Sequence, residues 1–177
     1  MRIDADWMAE VGLQRLMSAL QDAGHQVLAV GGCVRNALMG RAISDVDLAT
    51  SALPETVTNV AVSLGFRAIP TGIDHGTVTV VTPACAYEVT TFRRDISTDG
   101  RHAKVAFSTD VAQDAARRDF TMNAVYLDAR GAVIDPLGGL PDIAARRVRF
   151  VGDAAARIQE DYLRILRFFR FSAVYGD

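Results

Sequence analysis

Residues 31–50 read GGCVRNALMGRAISDVDLAT, a glycine pair followed by two closely spaced aspartates. The short apolar run 26–30 before the glycines is typical of a strand, and residues 34–39 have helical spacing before Gly40. The stretch therefore predicts a strand, a tight glycine turn and a helix. Backbone N–H groups at such a helix start can approach a phosphate, with Arg35 one turn further along. An ordinary structural turn is the alternative.

Asp45 and Asp47 are candidate metal ligands. They lie two residues apart at the predicted strand 46–49, so their side chains leave the same face and can share a ligand. Magnesium prefers oxygen ligands and is typically held by one or two carboxylates plus substrate phosphates. A surface turn is the alternative for an isolated pair, but the nearby glycine turn favours a metal site. Glu88, within a β-branched segment, is a candidate third ligand or a solvent-facing strand residue.

The other hydrophobic patterns predict alternating helices and strands. Helices are predicted at 6–23, 54–64 and 160–174, and strands at 66–70, 76–81, 87–92, 125–127 and 133–134. Strands 76–81 and 87–92 are expected to form an antiparallel hairpin. Residues 93–104 are charged and aperiodic, which predicts a surface loop before a helix capped by Ser108. Residues 135–139 predict a bend that could act as a hinge.

The bulk composition limits the class of protein. The 177 residues are 50% hydrophobic and 23% charged, enough for one core and the start of a second unit. No apolar run is long enough to span a bilayer, and Cys33 and Cys85 lack partner spacing, so we expect a cytoplasmic protein without membrane contact. The net charge of −2 predicts that any RNA contact is local or lies elsewhere. The apolar helix 160–174 predicts a continuation that covers it.

Further motifs extend the pattern along the chain. HGTVTVV (75–81), YEVTTFRRDISTDGRHAKVAF (87–107), RRDFTMNAVYLD (117–128) and DPLGGLPDIAARRVRFVGDAAARIQEDYLRILRFFRF (135–171) follow the opening stretch. In this order they resemble the head motifs of the class II CCA-adding enzyme and bacterial poly(A) polymerase family, within the polymerase-beta-like nucleotidyltransferase superfamily. The resemblance implies an α/β (α+β) head at 1–150 with a mixed, largely antiparallel sheet. It also implies that an all-helical neck begins at 151–177.

The resemblance also implies roles for particular residues. Asp45, Asp47 and Glu88 resemble the family's catalytic carboxylates, which would hold Mg²⁺ while an RNA 3′-hydroxyl attacks the α-phosphate of a nucleotide and pyrophosphate leaves. Asn36 stands where the family usually carries an aspartate. The residues expected to contact the nucleotide are Gly31, Gly32, Arg35, Arg117, Arg118, Asp119, Asn123, Asp161, Arg164 and Arg167.

The base of the nucleotide is expected to be read by Asp161 and Arg164. They resemble the family's templating motif and lie at i and i+3 of the predicted last helix. A carboxylate can accept from the amino group of cytosine or adenine, and a guanidinium can donate to the adjacent ring nitrogen. A surface salt bridge between these two side chains is the alternative.

The expected substrates are CTP, ATP and the 3′ end of tRNA, with most tRNA contacts in C-terminal domains beyond this chain. The segment 90–107 resembles the flexible loop of CCA-adding enzymes, which CC-only adders are expected to shorten. A poly(A) polymerase and a specialised CC- or A-adding enzyme remain alternatives. More distant ones are a glycosyltransferase with paired aspartates and a non-catalytic nucleotide- or RNA-binding module, although both aspartates are present.

Overall fold

The architecture was taken from a computed structural model, which describes residues 1–99 and 102–177. The described helices are α1 (Val11–Asp22), α2 (Gly32–Leu38), α3 (Pro54–Ser63), α4 (Val111–Ala116), α5 (Leu140–Ala144), α6 (Ala154–Glu160) and α7 (Leu163–Tyr175). The described strands are β1 (Val27–Val30), β2 (Asp47–Thr50), β3 (Arg67–Gly72), β4 (Thr77–Val81), β5 (Ala86–Thr91), β6 (Arg93–Asp99), β7 (His102–Phe107), β8 (Tyr126–Leu127) and β9 (Val133–Ile134). None of these helices is long and apolar enough to cross a bilayer.

The central sheet has seven strands in the order β3-β4-β5-β2-β1-β8-β9. β2 and β5 run parallel, whereas the other neighbouring pairs of this sheet are antiparallel. The mixed, largely antiparallel sheet predicted from the sequence is therefore confirmed, as is the β4–β5 hairpin. Helices pack on the sheet, so the chain is an α/β (α+β) fold as expected.

One row of residues across the sheet prepares the functional site. Glu88, Asp47, Val30 and Tyr126 are successive partners across β5, β2, β1 and β8. Residues paired in this way project to the same face of a sheet. The row therefore brings two carboxylates, the residue before the glycine turn and a tyrosine to one face.

The two faces of the sheet are covered differently. On one face, α1 buries Leu13, Leu16 and Leu20 completely, as their helical spacing predicts. On the other face, a smaller cluster that includes Ala49, Phe92 and Tyr126 packs against the strands. The larger core stabilises the sheet on one face, and the smaller cluster covers the opposite face.

The prediction of a surface loop at 93–104 is wrong. Instead, β6 and β7 form a two-stranded antiparallel hairpin, paired from Arg93↔Phe107 to Asp99↔His102. Charged residues occupy its strands, so the period-2 hydrophobic signal of a half-buried strand is missing. Residues 100–101 lie outside the described residues. At the hairpin base, the ring of Phe107 packs against Gly76, whose φ of +80° and lack of a side chain permit the contact.

Two helix starts differ from the prediction because other side chains cap them. The segment 6–23 divides into a 3-10 turn, Asp6–Ala9, and α1, whose first N–H groups donate to the Glu10 carboxylate. Asp110, rather than Ser108, caps α4, since its Oδ1 accepts from Ala112 N at 2.8 Å. Ser108 Oγ instead accepts from Asp110 N at 3.0 Å.

The predicted helix 160–174 corresponds to α7, which starts only at Leu163, because the chain breaks at 161–162 after α6 ends at Glu160. Asp161 has an extended backbone, with φ −155° and ψ 106°, and its Oδ1 accepts from Leu163 N at 3.0 Å. The carboxylate thereby bonds an N–H that the start of α7 leaves free. Asp161 therefore precedes α7 instead of lying one turn below Arg164 on the same helix.

Aromatic rings pack α7 against Phe120 and Phe150, which form an isolated β-bridge outside the central sheet. The ring of Phe120 is fully buried, and its centroid lies 5.0 Å from that of Phe150 and 5.1 Å from that of Phe171. Phe150 and Phe168 stack at 5.5 Å. Such tilted and stacked pairs contribute about 0.5–1.5 kcal/mol each beyond the burial of their area. The cluster fixes α7 beside the glycine turn.

Candidate functional site

The glycine turn opens onto a cavity of about 450 Å³. Gly31 has φ +77° and ψ −125°, a conformation that residues with a Cβ rarely adopt. Eight of the thirteen residues predicted for the site line this cavity: Gly31, Gly32, Arg35, Asp47, Arg118, Asp119, Asn123 and Arg167. The strand, turn and helix predicted from residues 26–39 therefore form one wall of a basic cavity.

Three carboxylates surround a neighbouring cavity of about 370 Å³. Asp47 begins β2 and pairs with Glu88 of β5, while Asp45 lies two residues before the strand and accepts from Ser44 Oγ at 2.8 Å. The pKa of Asp47 is raised, mainly because burial removes part of the hydration of its carboxylate. Repulsion from Glu88 and Asp45 raises the pKa further, whereas attraction to Arg118 lowers it. Asp47 lines both cavities, so acidic and basic groups meet at this residue.

The donor set of the acidic cavity fits a hard divalent cation. All three side chains offer oxygen, and the repulsion that raises the pKa of Asp47 would be relieved by a bound positive charge. Within residues 1–99 and 102–177, no three acidic, histidine or cysteine side chains converge closely enough to enclose an ion.

Arg117 and Arg118 face different cavities although they are adjacent. Asp114 accepts from Arg117 Nε at 2.9 Å and from Arg118 Nη2 at 2.8 Å. Arg118 reaches the cavity at the glycine turn, whereas Arg117 lines a separate cavity of about 340 Å³ with Arg157 and Glu160. The structure therefore does not bring Arg117 together with Asp47.

Arg35 is buried in the middle of α2 and donates to neutral partners. It donates to Asn123 Oδ1 at 2.6 Å, to Tyr175 Oη at 2.7 Å and to Asn36 Oδ1 at 2.9 Å. Burial lowers the pKa of Arg35, and Tyr175 and Asp119 oppose that effect. Asn36 also donates to Ala42 O at 2.8 Å, so it ties the guanidinium to the segment that leads to Asp45.

Asp119 connects the glycine-turn cavity to α7. Its Oδ2 accepts from Arg167 Nε at 2.7 Å, and its Oδ1 accepts from Asn123 Nδ2 at 3.0 Å. Three predicted site residues thus form one hydrogen-bonded group. A carboxylate and an amide in this position can present acceptors and donors to the hydroxyls of a sugar.

Asp161 and Arg164 are not paired with each other. Arg164 donates to Glu160 Oε2 at 2.7 Å, to Arg157 O at 2.9 Å and to Arg117 O at 3.3 Å. The surface salt bridge considered as their alternative is therefore wrong, because Glu160 takes the guanidinium and Asp161 bonds Leu163 N. Neither side chain lines the cavity at the glycine turn.

Sequence reasoning missed several side chains of this site. Asp114 lies three and four residues before the two arginines, which is the spacing of side-chain pairs on a helix, and this signal could have identified it. Tyr175 and Arg170 line the cavity from α7, and no local pattern marks them. Their position depends on how α7 packs against the sheet.

Comparison with known proteins gives consistent results. Residues 27–149 match the family model described as the poly A polymerase head domain. The chain is 47% identical over 161 residues to the mitochondrial CCA tRNA nucleotidyltransferase 1 of Danio rerio, covering 90% of this chain and 37% of that protein. The CCA-adding enzyme of Bacillus stearothermophilus, solved in complex with CTP, superposes with a TM-score of 0.81 at 43% identity, covering 92% of this chain and 39% of that one.

A tRNA nucleotidyltransferase solved with a primer tRNA and an incoming ATP analogue is also similar, with a TM-score of 0.73 at 27% identity. The superposition covers 89% of this chain and 44% of that enzyme. The chain therefore spans about two fifths of the length of these relatives. Because the family model covers most of the chain and the fold agrees, the chain belongs to the family of poly A polymerase head domains.

Proposed function

We propose that this chain is the nucleotide-transferring head of a CCA-adding enzyme, which adds CMP and AMP from CTP and ATP to the 3′ end of tRNA. The observation that carries the proposal is the position of Asp47, which lines both the acidic cavity and the basic cavity at the glycine turn. A nucleoside triphosphate across these cavities would meet carboxylates at one end and arginines at the other. Relatives named for CCA addition support this choice.

The basic cavity is proposed to bind the triphosphate. The N–H groups at the start of α2 and the guanidinium groups of Arg35 and Arg118 supply donors and positive charge for phosphate oxygens. Asp119 and Asn123 would bind the sugar hydroxyls. The cavity then holds the nucleotide in one orientation, which supplies much of the catalysis of phosphoryl transfer.

The acidic cavity is proposed to hold Mg²⁺ through Asp45, Asp47 and Glu88. When bound, the metal would neutralise charge on the reacting oxygens of phosphate and hydroxyl. The attacking group is the 3′-hydroxyl of the RNA, which displaces pyrophosphate from the α-phosphate. The three carboxylates would thus position the attacked α-phosphate next to Asp47.

Asp161 and Arg164 are proposed to select the base after a rearrangement at the α6–α7 junction. Arg164 is engaged by Glu160, and Asp161 by the backbone of α7. Reading a base would require each side chain to exchange one of these partners for the nucleotide. The break between α6 and α7 places both residues where such an exchange needs no unwinding of a long helix.

A poly(A) polymerase is the second candidate, because the family model that matches the chain is that of its head domain. A CC- or A-adding enzyme is a specialised form of the first proposal. A glycosyltransferase or a silent binding module is disfavoured, since Asp45, Asp47 and Glu88 are all retained beside the basic cavity.

The remaining assignments follow from the same proposal. We place the boundary between head and neck near residue 150, where α6 and α7 follow the last part of the sheet domain. The tRNA would bind mainly through parts of the protein beyond this chain. The two cysteines are unpaired, which supports a reducing compartment such as the cytoplasm, and relatives occur in mitochondria and in bacteria.

Incorporation of labelled nucleotides tests the proposal. The protein would be given each of the four nucleoside triphosphates with Mg²⁺ and either tRNA lacking its terminal CCA or an unrelated RNA. We expect the wild-type chain to add C and then A to the tRNA. The double variant Asp45→Ala/Asp47→Ala should incorporate no nucleotide. Long runs of A on either RNA would favour the poly(A) polymerase, and incorporation by the double variant would contradict the site.

A further inference from the structure

We propose that Asp114 is a positioning residue that directs Arg118 toward the triphosphate and Arg117 away from it. This inference rests on the proposed function. Asp114 lies outside both cavities at the Asp47 end of the site, so its effect on a nucleotide would pass through Arg118.

The Asp114 carboxylate is fully buried and accepts hydrogen bonds from Arg117, Arg118 and Tyr126. Its Oδ1 accepts from Arg117 Nε at 2.9 Å, and its Oδ2 accepts from Arg118 Nη2 at 2.8 Å and from Tyr126 Oη at 2.9 Å. Arg118 Nε also donates to Tyr126 Oη at 3.1 Å. Each carboxylate oxygen thus bonds a different arginine.

This arrangement leaves one end of Arg118 available. Nε and Nη2 are occupied by Asp114 and Tyr126, whereas Nη1 makes no hydrogen bond to the described part of the chain. Nη1 lies 3.9 Å from the position that a Cβ on Gly31 would occupy. The free donor therefore points at the glycine turn, where the triphosphate is proposed to bind.

The sheet adds rigidity to this network. Tyr126 is the β8 partner of Val30, the residue immediately before Gly31. Its buried hydroxyl both accepts from Arg118 and donates to Asp114, so it has one orientation. The distance from the guanidinium to the glycine turn is thereby fixed by a strand pair instead of by a flexible side chain.

The electrostatics agree with a permanently ionised Asp114. Burial alone would raise the pKa of its carboxyl group, but Arg118 and Arg117, with the hydrogen bonds from Arg118 and Tyr126, bring it below the usual value. A neutral amide at this position would keep the shape and lose the charge that fixes both guanidinium groups. Asp114→Asn is therefore the informative substitution.

A double-mutant cycle on CTP binding tests the proposal. Dissociation constants of CTP in Mg²⁺ would be measured for the wild-type chain, D114N, R118A and D114N/R118A. We expect D114N and R118A each to weaken binding about tenfold, and the double variant to bind no more weakly than R118A. Y126F, which keeps the carboxylate, is expected to weaken binding roughly fivefold.

Asp142→Asn is the matched control. Asp142 is also fully buried and also binds two arginines, Arg147 and Arg149, but these do not line the cavity at the glycine turn. D142N should lower the thermal unfolding temperature as D114N does, with CTP affinity changed by no more than about twofold. A loss of affinity that merely follows instability would appear equally in both variants and would overturn the proposal.

The remaining outcomes separate this proposal from the proposed function. If the wild-type chain binds CTP and D114N binds equally well, or if the losses of D114N and R118A multiply, the role of Asp114 is overturned. If D114N does not fold, unchanged CTP affinity in Y126F overturns it. A wild-type chain that binds no CTP overturns the proposed function together with this inference.

Discussion

At the scale of single residues, three carboxylates line the acidic cavity. Asp45→Ala or Asp47→Ala is expected to abolish nucleotide addition without loss of stability, because each substitution removes one of the carboxylates that repel each other at the site. Turnover in saturating Mg²⁺ and the thermal unfolding temperature would be measured together. Asp22→Ala, an exposed carboxylate at the end of α1, is the control. Near-normal turnover in either site variant would refute the assignment.

The buried carboxylates make stability depend on pH. Burial acts to raise the pKa of Asp142, but hydrogen bonds from Thr121, Arg149 and Arg147 lower it below the usual value. In the unfolded chain the group returns to its usual pKa of about 3.9. A pKa depressed by folding gives stability that is present above the unfolded value and lost as the pH falls through the folded value.

We therefore expect the urea midpoint of the wild-type chain to fall steeply below about pH 4. The fall should be smaller in Asp142→Asn, which has no carboxyl group to protonate at this site. Urea unfolding between neutral and acidic pH measures both. An identical pH dependence in the two proteins would contradict the role of Asp142.

At the scale of helices and strands, the junction between α6 and α7 separates two roles of Asp161. Asp161→Ser keeps an oxygen for Leu163 N but removes the carboxylate, whereas Asp161→Ala removes both. We expect both variants to lose the preference for CTP and ATP over UTP and GTP, and only Asp161→Ala to lose about 1 kcal/mol of stability. Incorporation of the four nucleotides and unfolding would be compared, and a wild-type preference in Asp161→Ser would assign base selection elsewhere.

Secondary structure was predictable wherever burial imposes a period. The strands around the glycine turn and the β4–β5 hairpin have alternating or continuous apolar residues, and the structure agrees with them. The β6–β7 hairpin was missed because its strands carry charged residues, which hide the alternation. The break before α7 was missed because no glycine or proline marks it in the sequence.

The site was predictable only in part, because several of its contacts join residues that are distant in sequence. Asp45 and Asp47 are close in sequence, but the proximity of Asp47 to Glu88 results from the parallel pairing of β2 with β5. The resemblance to known head motifs supplied that relation. The contact of Arg35 with Tyr175, which are 140 residues apart, depends on the packing of α7 and follows from no local pattern.

At the scale of the whole molecule, the charge distribution predicts weak binding of the tRNA body. The net charge of −2 gives no general attraction for nucleic acid, and the arginines of the site are partly engaged by Asp114 and Asp119. The 177-residue chain should bind tRNA more weakly than the longer CCA-adding enzyme of Bacillus stearothermophilus at the same salt concentration. Equal dissociation constants would contradict this expectation.

The central claim is that one nucleotide bridges the basic and the acidic cavity at Asp47. Calorimetric titration of the chain with CTP, in Mg²⁺ and in EDTA, tests it most directly when wild type and Asp47→Asn are compared. The account predicts that Mg²⁺ strengthens CTP binding to the wild-type chain and has little effect on Asp47→Asn. Equal CTP affinity with and without Mg²⁺ in the wild-type chain, or an undiminished Mg²⁺ effect in Asp47→Asn, would contradict it.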